Sequence, residues 1–345
     1  MVHIIGQGCC KDASCVSVCP VDCIRPRPGD PEFSTVDQLY IDPAACIDCG
    51  ACIDACPVSA IGADPGTVPH FEEFERVNAR HFIDRRRRDY ALVPTSLPRQ
   101  LEHQLRVAVI GAGPTGCYAA AVLSSIGNVE VSVFERLPIP YGLVRFGVAP
   151  DHQSTKAITN EFAKSLAAPG VFCYFNVEVG RHITIDEIRS THHALIVATG
   201  ANGGRSLGIP GEELSGVVSA HEFVGWYNGH PDHAHREFDL SGTNALIIGN
   251  GNVALDVARV LAVAPSRFAA SDMPPYARTA LERSSVRTVT IAARRSPEYA
   301  AFTLGEALAL DRLEEVSIEA VSAANTAEAP LPNTDRAGLA ATPLG

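Results

Sequence analysis

Nine of the eleven cysteines lie between Cys9 and Cys56, and their spacing decides what they can bind. The run Cys46-x2-Cys49-x2-Cys52-x3-Cys56-Pro57 has two short gaps followed by a longer one. Two-residue gaps let one loop wrap an iron–sulfur cubane, and the three-residue gap redirects the last thiolate to a neighbouring cluster. The complementary half is Cys15-x3-Cys19-Pro20. Cys46, Cys49, Cys52 and Cys19 are therefore expected to hold one 4Fe–4S cluster. Reading back from Cys15 at the same spacing puts Cys9 in the first slot and Asp12 in the second. With Cys56 crossing over, a second cluster has only Cys9, Cys15 and Cys56 as thiolates. Three thiolates suit a 3Fe–4S cluster, the favoured reading, or a 4Fe–4S cluster whose fourth iron takes Asp12 or water. A carboxylate is a harder ligand for that iron than a thiolate.

Paired C-x2-C spacing would also admit zinc, but two interlocked C-x3-C-P halves argue against it. Cys10 and Cys23 fall outside the ligand spacing and are expected to be packed thiols. For Cys10, which sits beside Cys9, a substitute-ligand role is the alternative. In a secreted mini-domain such cysteine density would suggest disulfides, whereas in a cytoplasmic chain this spacing suggests metal. Residues 1–8 carry no basic region followed by an apolar stretch and do not read as a signal peptide. No apolar run approaches the roughly 20 residues of a membrane span. The chain is expected to be soluble and cytoplasmic. A net charge of −11 argues against a nucleic-acid partner, which needs a basic face. Residues 1–63 carry three basic residues against eight acids, a balance that can steer docking to a basic redox partner.

Two further sites have phosphate chemistry. Arg106–Ile110 reads as a strand, Gly111-Ala-Gly113-Pro-Thr115-Gly116 as a tight turn, and the Ala-rich stretch to Ile126 as a helix. A second strand, Val129–Phe134, ends at Glu135, nineteen residues after Gly116. GxGxxG alone is weak; between strand and helix, with an acid about 20 residues on, it is a dinucleotide fingerprint. Glu135 would accept from a ribose hydroxyl. The pattern recurs at Asn244–Ile248, Gly249-Asn250-Gly251-Asn252-Val253-Ala254 and a helix over Leu255–Val263. Its later strand, Val286–Ala293, ends in Arg294-Arg295, which suits a 2′-phosphate, so NADP is favoured over NAD. A hydride carries two electrons and a cluster accepts one, so the first site is expected to hold a flavin that converts between them.

Residues 139–152 (Ile-Pro-Tyr-Gly-Leu-Val-Arg-Phe-Gly-Val-Ala-Pro-Asp-His), with Gly249–Asp256, Arg294-Arg295 and Ala301-Phe302-Thr303, closely resemble adrenodoxin-reductase-type ferredoxin–NADP reductases. The layout resembles the bacterial variant with a ferredoxin domain fused in front, and the resemblance covers residues 1 to about 310. It implies FAD at Gly111, Gly113, Thr115, Gly116, Glu135, Leu143 and Val179. It also implies NADP(H) at Asn250, Gly251, Asn252 and Val253, with Arg294 and Arg295 on the 2′-phosphate. His152 and Glu306 match positions near the reacting rings: His152 as a redox-linked titrating group, Glu306 as a nicotinamide-site contact. A purely structural role is the alternative for both. Family members continue beyond this chain through a flavin-covering segment absent here, so the chain reads as C-terminally incomplete.

The expected architecture is an α+β ferredoxin-like two-cluster domain (1–63), a linker (64–105), and α/β Rossmann-like FAD-binding (106–205) and NADP-binding (206–320) domains. A disordered tail follows (321–345). Arg85–Arg88 in the linker reads as a solvated run, with contact to an acidic face as the alternative. His230, His233 and His235 read as a solvated loop rather than a metal site, and Cys117 and Cys173 as core. The implied reaction passes electrons between NADPH, FAD and iron–sulfur clusters, to a ferredoxin or another one-electron protein. Two rivals remain: a flavin/iron–sulfur subunit of a larger oxidoreductase such as glutamate synthase, and an inactive cluster-carrying fragment.

Overall fold

The computed structural model describes residues 2–83, 100–201, 203–293, 300–311, 313 and 316–318. Arg85–Arg88, Arg294, Arg295 and residues 321–345 lie outside these. The described chain forms two compact units, residues 1–148 with 152–202, and residues 149–151 with 203–345.

The first unit opens with short elements: β1 (Ile4–Ile5), α1 (Ser14–Val18), β2 (Ile24–Arg25), β3 (Tyr40–Ile41), α2 (Ala51–Ala55) and β4 (Ile61–Gly62). They pair as two antiparallel ladders, β1 with β4 and β2 with β3. Two-residue strands cannot bury a core by themselves. Here the core around Ile5, Ile24, Leu39, Ile41 and Ile61 is completed by the cysteines.

The two halves repeat one backbone design. Each helix follows a left-handed residue, Ala13 (φ 65°) or Gly50 (φ 77°), and ends at an extended cysteine, Cys19 or Cys56. Two positions before each helix-capping residue, Lys11 (φ 57°) and Asp48 (φ 58°) are left-handed too. Asp12 and Cys49 thus occupy the same place in the two loops.

The stretch read as a linker contains α3 (Phe71–Ile83) and the first residues of β5 (Gln100–Ile110). The sequence there is rich in Pro and charge and shows little periodicity. The helix escaped notice because its most buried positions are Phe74 and Asn78, and a polar residue at i+4 breaks the apolar stripe that signals amphipathicity.

The rest of the first unit comprises α4 (Pro114–Ser124), β6 (Gly127–Glu135), α5 (Gly142–Phe146), α6 (Gln153–Lys156), α7 (Thr159–Leu166), β7 (Val171–Phe175), α8 (Ile185–Thr191) and β8 (Ala194–Val197). The strands form one parallel sheet in the order β7-β6-β5-β8. Its core is Val107, Val109, Val131 and Val133, and the apolar runs of β5 and β6 suit strands covered on both faces.

The second unit comprises α9 (Ala220–Tyr227), β9 (Asn244–Ile248), α10 (Asn252–Ala262), α11 (Pro275–Glu282), β10 (Thr288–Ala292) and α12 (Leu304–Asp311). β9 and β10 run parallel from Thr288↔Asn244 to Ala292↔Ile248. Its core gathers Trp226, Tyr227, Leu255, Val260, Phe268 and Leu310. No helix among the described residues is long and apolar enough to cross a membrane.

Candidate functional site

Cys19, Cys46, Cys49 and Cys52 line a single pocket with Val21, Cys23 and Ile47. All the cysteines are free thiols. Burial, followed at a distance by the charges of Cys46, Cys49 and Cys19, pushes the Cys52 thiol up to about 11. Thiols so close resist ionisation unless a cation shares the site, which is the donor set a metal cluster requires. Cys23 also lines the pocket, its sulfur 3.4 Å from that of Cys19. Its backbone N–H donates to the Cys19 sulfur at 3.4 Å, as the Ala60 N–H does to the Cys56 sulfur at 3.3 Å. Such N–H···S bonds tune cluster potentials. The match of Cys23 with Ala60 accounts for it as a packed thiol.

The second ligand set is less open. Cys15 is buried, and Cys9 and Cys56 are half-buried. The Ser14 hydroxyl donates to the Asp12 carboxylate. Burial chiefly, then the charges of Cys9, Asp12 and Cys56, raises the Cys15 thiol above its ordinary range. Cys9, Cys10 and Cys56 pack with Val58 and Ala60 into the apolar core that holds Cys117, Val144, Ile158 and Phe162. These last four belong to the dinucleotide half of the first unit. Gly8 is close enough to α6 that an added Cβ would lie 3.4 Å from the Ser154 hydroxyl.

The first glycine turn joins β5 to α4. Gly111 has φ +102°, and an added Cβ would strike the Ala198 carbonyl, while one at Gly116 would strike that of Gly111. Protein packing alone demands glycine at both. Gly113 is different, because a Cβ there would meet only the Gly142 Cα at 3.8 Å. Gly113 caps α4 with no side-chain hydrogen bond, leaving the first N–H groups open for phosphate. Glu135 ends β6, accepting from the Ala112 N–H (2.8 Å) and the Leu137 N–H (2.9 Å). Each oxygen keeps a lone pair for a ribose hydroxyl. Tyr141 N–H donates to the Ala112 carbonyl at 2.7 Å, which sets exposed Leu143 beside the turn. Thr115 is exposed, and Val179 packs under Ile110 and Phe134 at the strand ends. His152 is half-buried at the N-cap of α6. These residues fit a dinucleotide such as FAD.

The second turn joins β9 to α10. Gly249 has φ +121°, whereas Gly251 has an ordinary φ of −90° and nothing within 4 Å of an added Cβ. The chain itself does not need glycine at 251, and the open space there would admit a close-approaching pyrophosphate. α10 also starts without a side-chain cap. Asn252 turns inward, its side-chain oxygen accepting from the Thr303 N–H at 2.6 Å, and Gly251 bridges to Ala301. Val253 is half-exposed, and Asn250 sits in the turn. Glu306, in the first turn of α12, pairs with Arg259 at 3.3 Å. Arg294 and Arg295, on which the 2′-phosphate reading rests, lie outside the described residues.

Arg259 was not among the sequence candidates. Its side chain is 4% exposed and binds Asp151 (2.8 Å), Asp256 (2.6 Å) and Glu306. Burial opposes its charge, and the Asp151 hydrogen bond and the three carboxylates outweigh that, raising its pKa above the ordinary arginine value. An arginine three residues after an aspartate on an otherwise buried helix face was the available signal.

His233 also departs from the solvated-loop reading. It is half-buried, with its ring centroid 5.3 Å from that of His221 and 5.2 Å from that of His230. Cys117 is fully buried, and Cys173 is half-buried in β7.

Residues 7–60 match the family model of the 4Fe-4S dicluster domain, and residues 109–162 that of an NAD(P)-binding Rossmann-like domain. "Probable ferredoxin/ferredoxin–NADP reductase" of Mycobacterium tuberculosis is 48% identical over 330 residues, 92% of this chain. The chain is similar to this relative through both its cysteine-rich and its glycine-turn segments. It spans 57% of the length of that relative. Human mitochondrial NADPH:adrenodoxin oxidoreductase is 45% identical over 201 residues, 58% of this chain and 41% of its own length. Mycobacterium tuberculosis FprA in complex with NADPH has a TM-score of 0.61 at 40% identity, covering 64% of this chain and 49% of FprA.

Proposed function

We propose that the chain carries ferredoxin–NADP reductase chemistry, in which NADPH and two oxidised one-electron acceptors yield NADP⁺, a proton and two reduced acceptors. Bound FAD supplies the conversion between a two-electron hydride and single electrons. Ala112, Gly113 and Glu135 hold the first dinucleotide, Gly251 admits the pyrophosphate of the second, and Glu306 is set by Arg259. The acceptor is a ferredoxin or another one-electron protein. The observation that carries the reading is Gly251, a glycine the fold does not require, at an uncapped helix start in a chain that also gathers five cysteines in one pocket, four of them at cluster spacing.

The test is anaerobic titration with NADPH, following flavin absorbance. Bleaching at stoichiometric NADPH is expected. Gly251→Ala should raise the NADPH needed by about tenfold or more, the cost of roughly 1.4 kcal/mol in binding, with unchanged folding. A protein with no flavin bands, or bands indifferent to NADPH, sinks the proposal.

The Asp12 set is proposed to hold a 3Fe–4S cluster. Support comes from Asp12 standing where Cys49 stands in the other loop, between residues of matching φ, and from its carboxylate already engaged by Ser14. Oxidised protein should show the near-isotropic EPR signal of that cluster. Asp12→Cys should abolish it and add one iron per chain. An unchanged iron count and no signal in the unsubstituted protein would instead identify an Asp12-ligated 4Fe–4S cluster.

A further inference from the structure

The two ligand sets differ in what covers them. Cys9, Cys10 and Cys56 pack into the same apolar core as Cys117, Val144, Ile158 and Phe162. Tyr118 reinforces that side, its ring 5.1 Å edge-on from Phe162. Cys49, in the other set, is exposed, and Val21 and Ile47 beside it in the pocket are 36% and 58% exposed. Exposed Asp48 and Asp54 flank these positions in sequence.

We propose that the external one-electron partner docks on the Cys49 side, over Val21 and Ile47, and that this partner presents a basic face. The Asp12 side packs against the dinucleotide half of the same unit, which, among the described residues of that unit, leaves the Cys49 side as the approach to the thiolates. Residues 1–63 carry eight acids against three basic residues. An apolar centre flanked by Asp48 and Asp54, on a domain with an excess of acids, selects a basic redox protein and steers its approach. Burying two exposed aliphatic side chains there adds short-range attraction.

This rests on the proposed reaction only for the presence of clusters, and its test needs neither NADPH nor flavin. Full-length protein reduced with dithionite is mixed with ferric cytochrome c, a basic haem protein, under stopped flow. Each productive encounter moves one electron, leaving ferrous haem and the protein one electron more oxidised. Ile47→Lys should lower the second-order rate constant at low salt about tenfold, and Asp54→Lys several-fold, the latter difference shrinking as salt screens it. Carbodiimide cross-linking of the unsubstituted protein to cytochrome c should map to Asp48 or Asp54. That map decides the matter even if a variant loses its iron. Cross-links confined to other acids, or an Ile47→Lys protein with full iron and the unsubstituted rate, overturn the proposal.

Discussion

Asn78→Ala is expected to cost the cluster-bearing part of the chain about 3–5 kcal/mol, seen as a fall of roughly 15 °C or more in the temperature at which cluster absorbance bleaches. Asn78 is 1% exposed and makes four hydrogen bonds. Its side-chain oxygen accepts from the Ile5 N–H (3.2 Å) and the Ile41 N–H (2.8 Å). Its amide donates to the carbonyls of Ile5 (2.8 Å) and Phe74 (2.7 Å). Ile5 lies in one two-stranded ladder and Ile41 in the other. The side chain therefore bridges two ladders that are otherwise too short to hold themselves. Alanine leaves two backbone N–H groups in an apolar core, each costing about 1–3 kcal/mol. The Ile5 carbonyl keeps a partner in the Gln38 amide at 2.9 Å, so the loss stays below the sum of four bonds. A drop below about 5 °C would mean water reaches these groups and the bridge is dispensable.

What could be read in the sequence was whatever local spacing alone dictates. Cys46 to Cys56 and the two glycine turns are short segments whose chemistry depends on neighbours within a dozen residues. β9 falls where the residue pattern places it, and α10 begins three residues earlier than read. Asn78 was hidden because a polar residue at a buried helix position looks like an interruption. Its partners Ile5 and Ile41 lie 73 and 37 residues away. Arg259 was hidden for the same reason, since its partner Asp151 is 108 residues distant. Glu135 shows the intermediate case. Its place after the strand was legible, but the structure adds that both oxygens already hold the backbone of the turn. Asp12 was legible as a gap in a cysteine pattern, and the matched φ values of its neighbours make it the counterpart of Cys49.

Arg259→Met should destabilise the second unit by about 3–5 kcal/mol, because it removes the cation from a buried charge group rather than the whole group. Asp256 and Glu306 are 12% and 14% exposed, and Asp151 31%. Without Arg259, three carboxylates face one another with little water. Fully buried Tyr227 stands close enough that burial first, then Asp256, lifts its hydroxyl pKa well above the ordinary value. In the unsubstituted protein the raised Arg259 pKa means its contribution is complete below the unfolded arginine value and is lost only in strong alkali. Stability from this group is therefore flat across neutral pH. In the variant the sign turns on the carboxylates. Uncompensated, they are driven to bind protons in the folded state, so the penalty is small in acid and grows as pH rises from the unfolded carboxylate range to their raised folded values. Denaturant unfolding followed by Trp226 fluorescence at pH 5 and pH 8 reads this directly. A loss equal at both pH values would show that packing of the guanidinium stem, not charge, is what Arg259 contributes. A loss confined to the higher pH would locate the effect in Asp256 and Glu306. Because Arg259 also fixes Glu306 on α12, whose approach is tied to the glycine turn through Asn252 and Thr303, the same variant should bind NADPH less tightly at the higher pH.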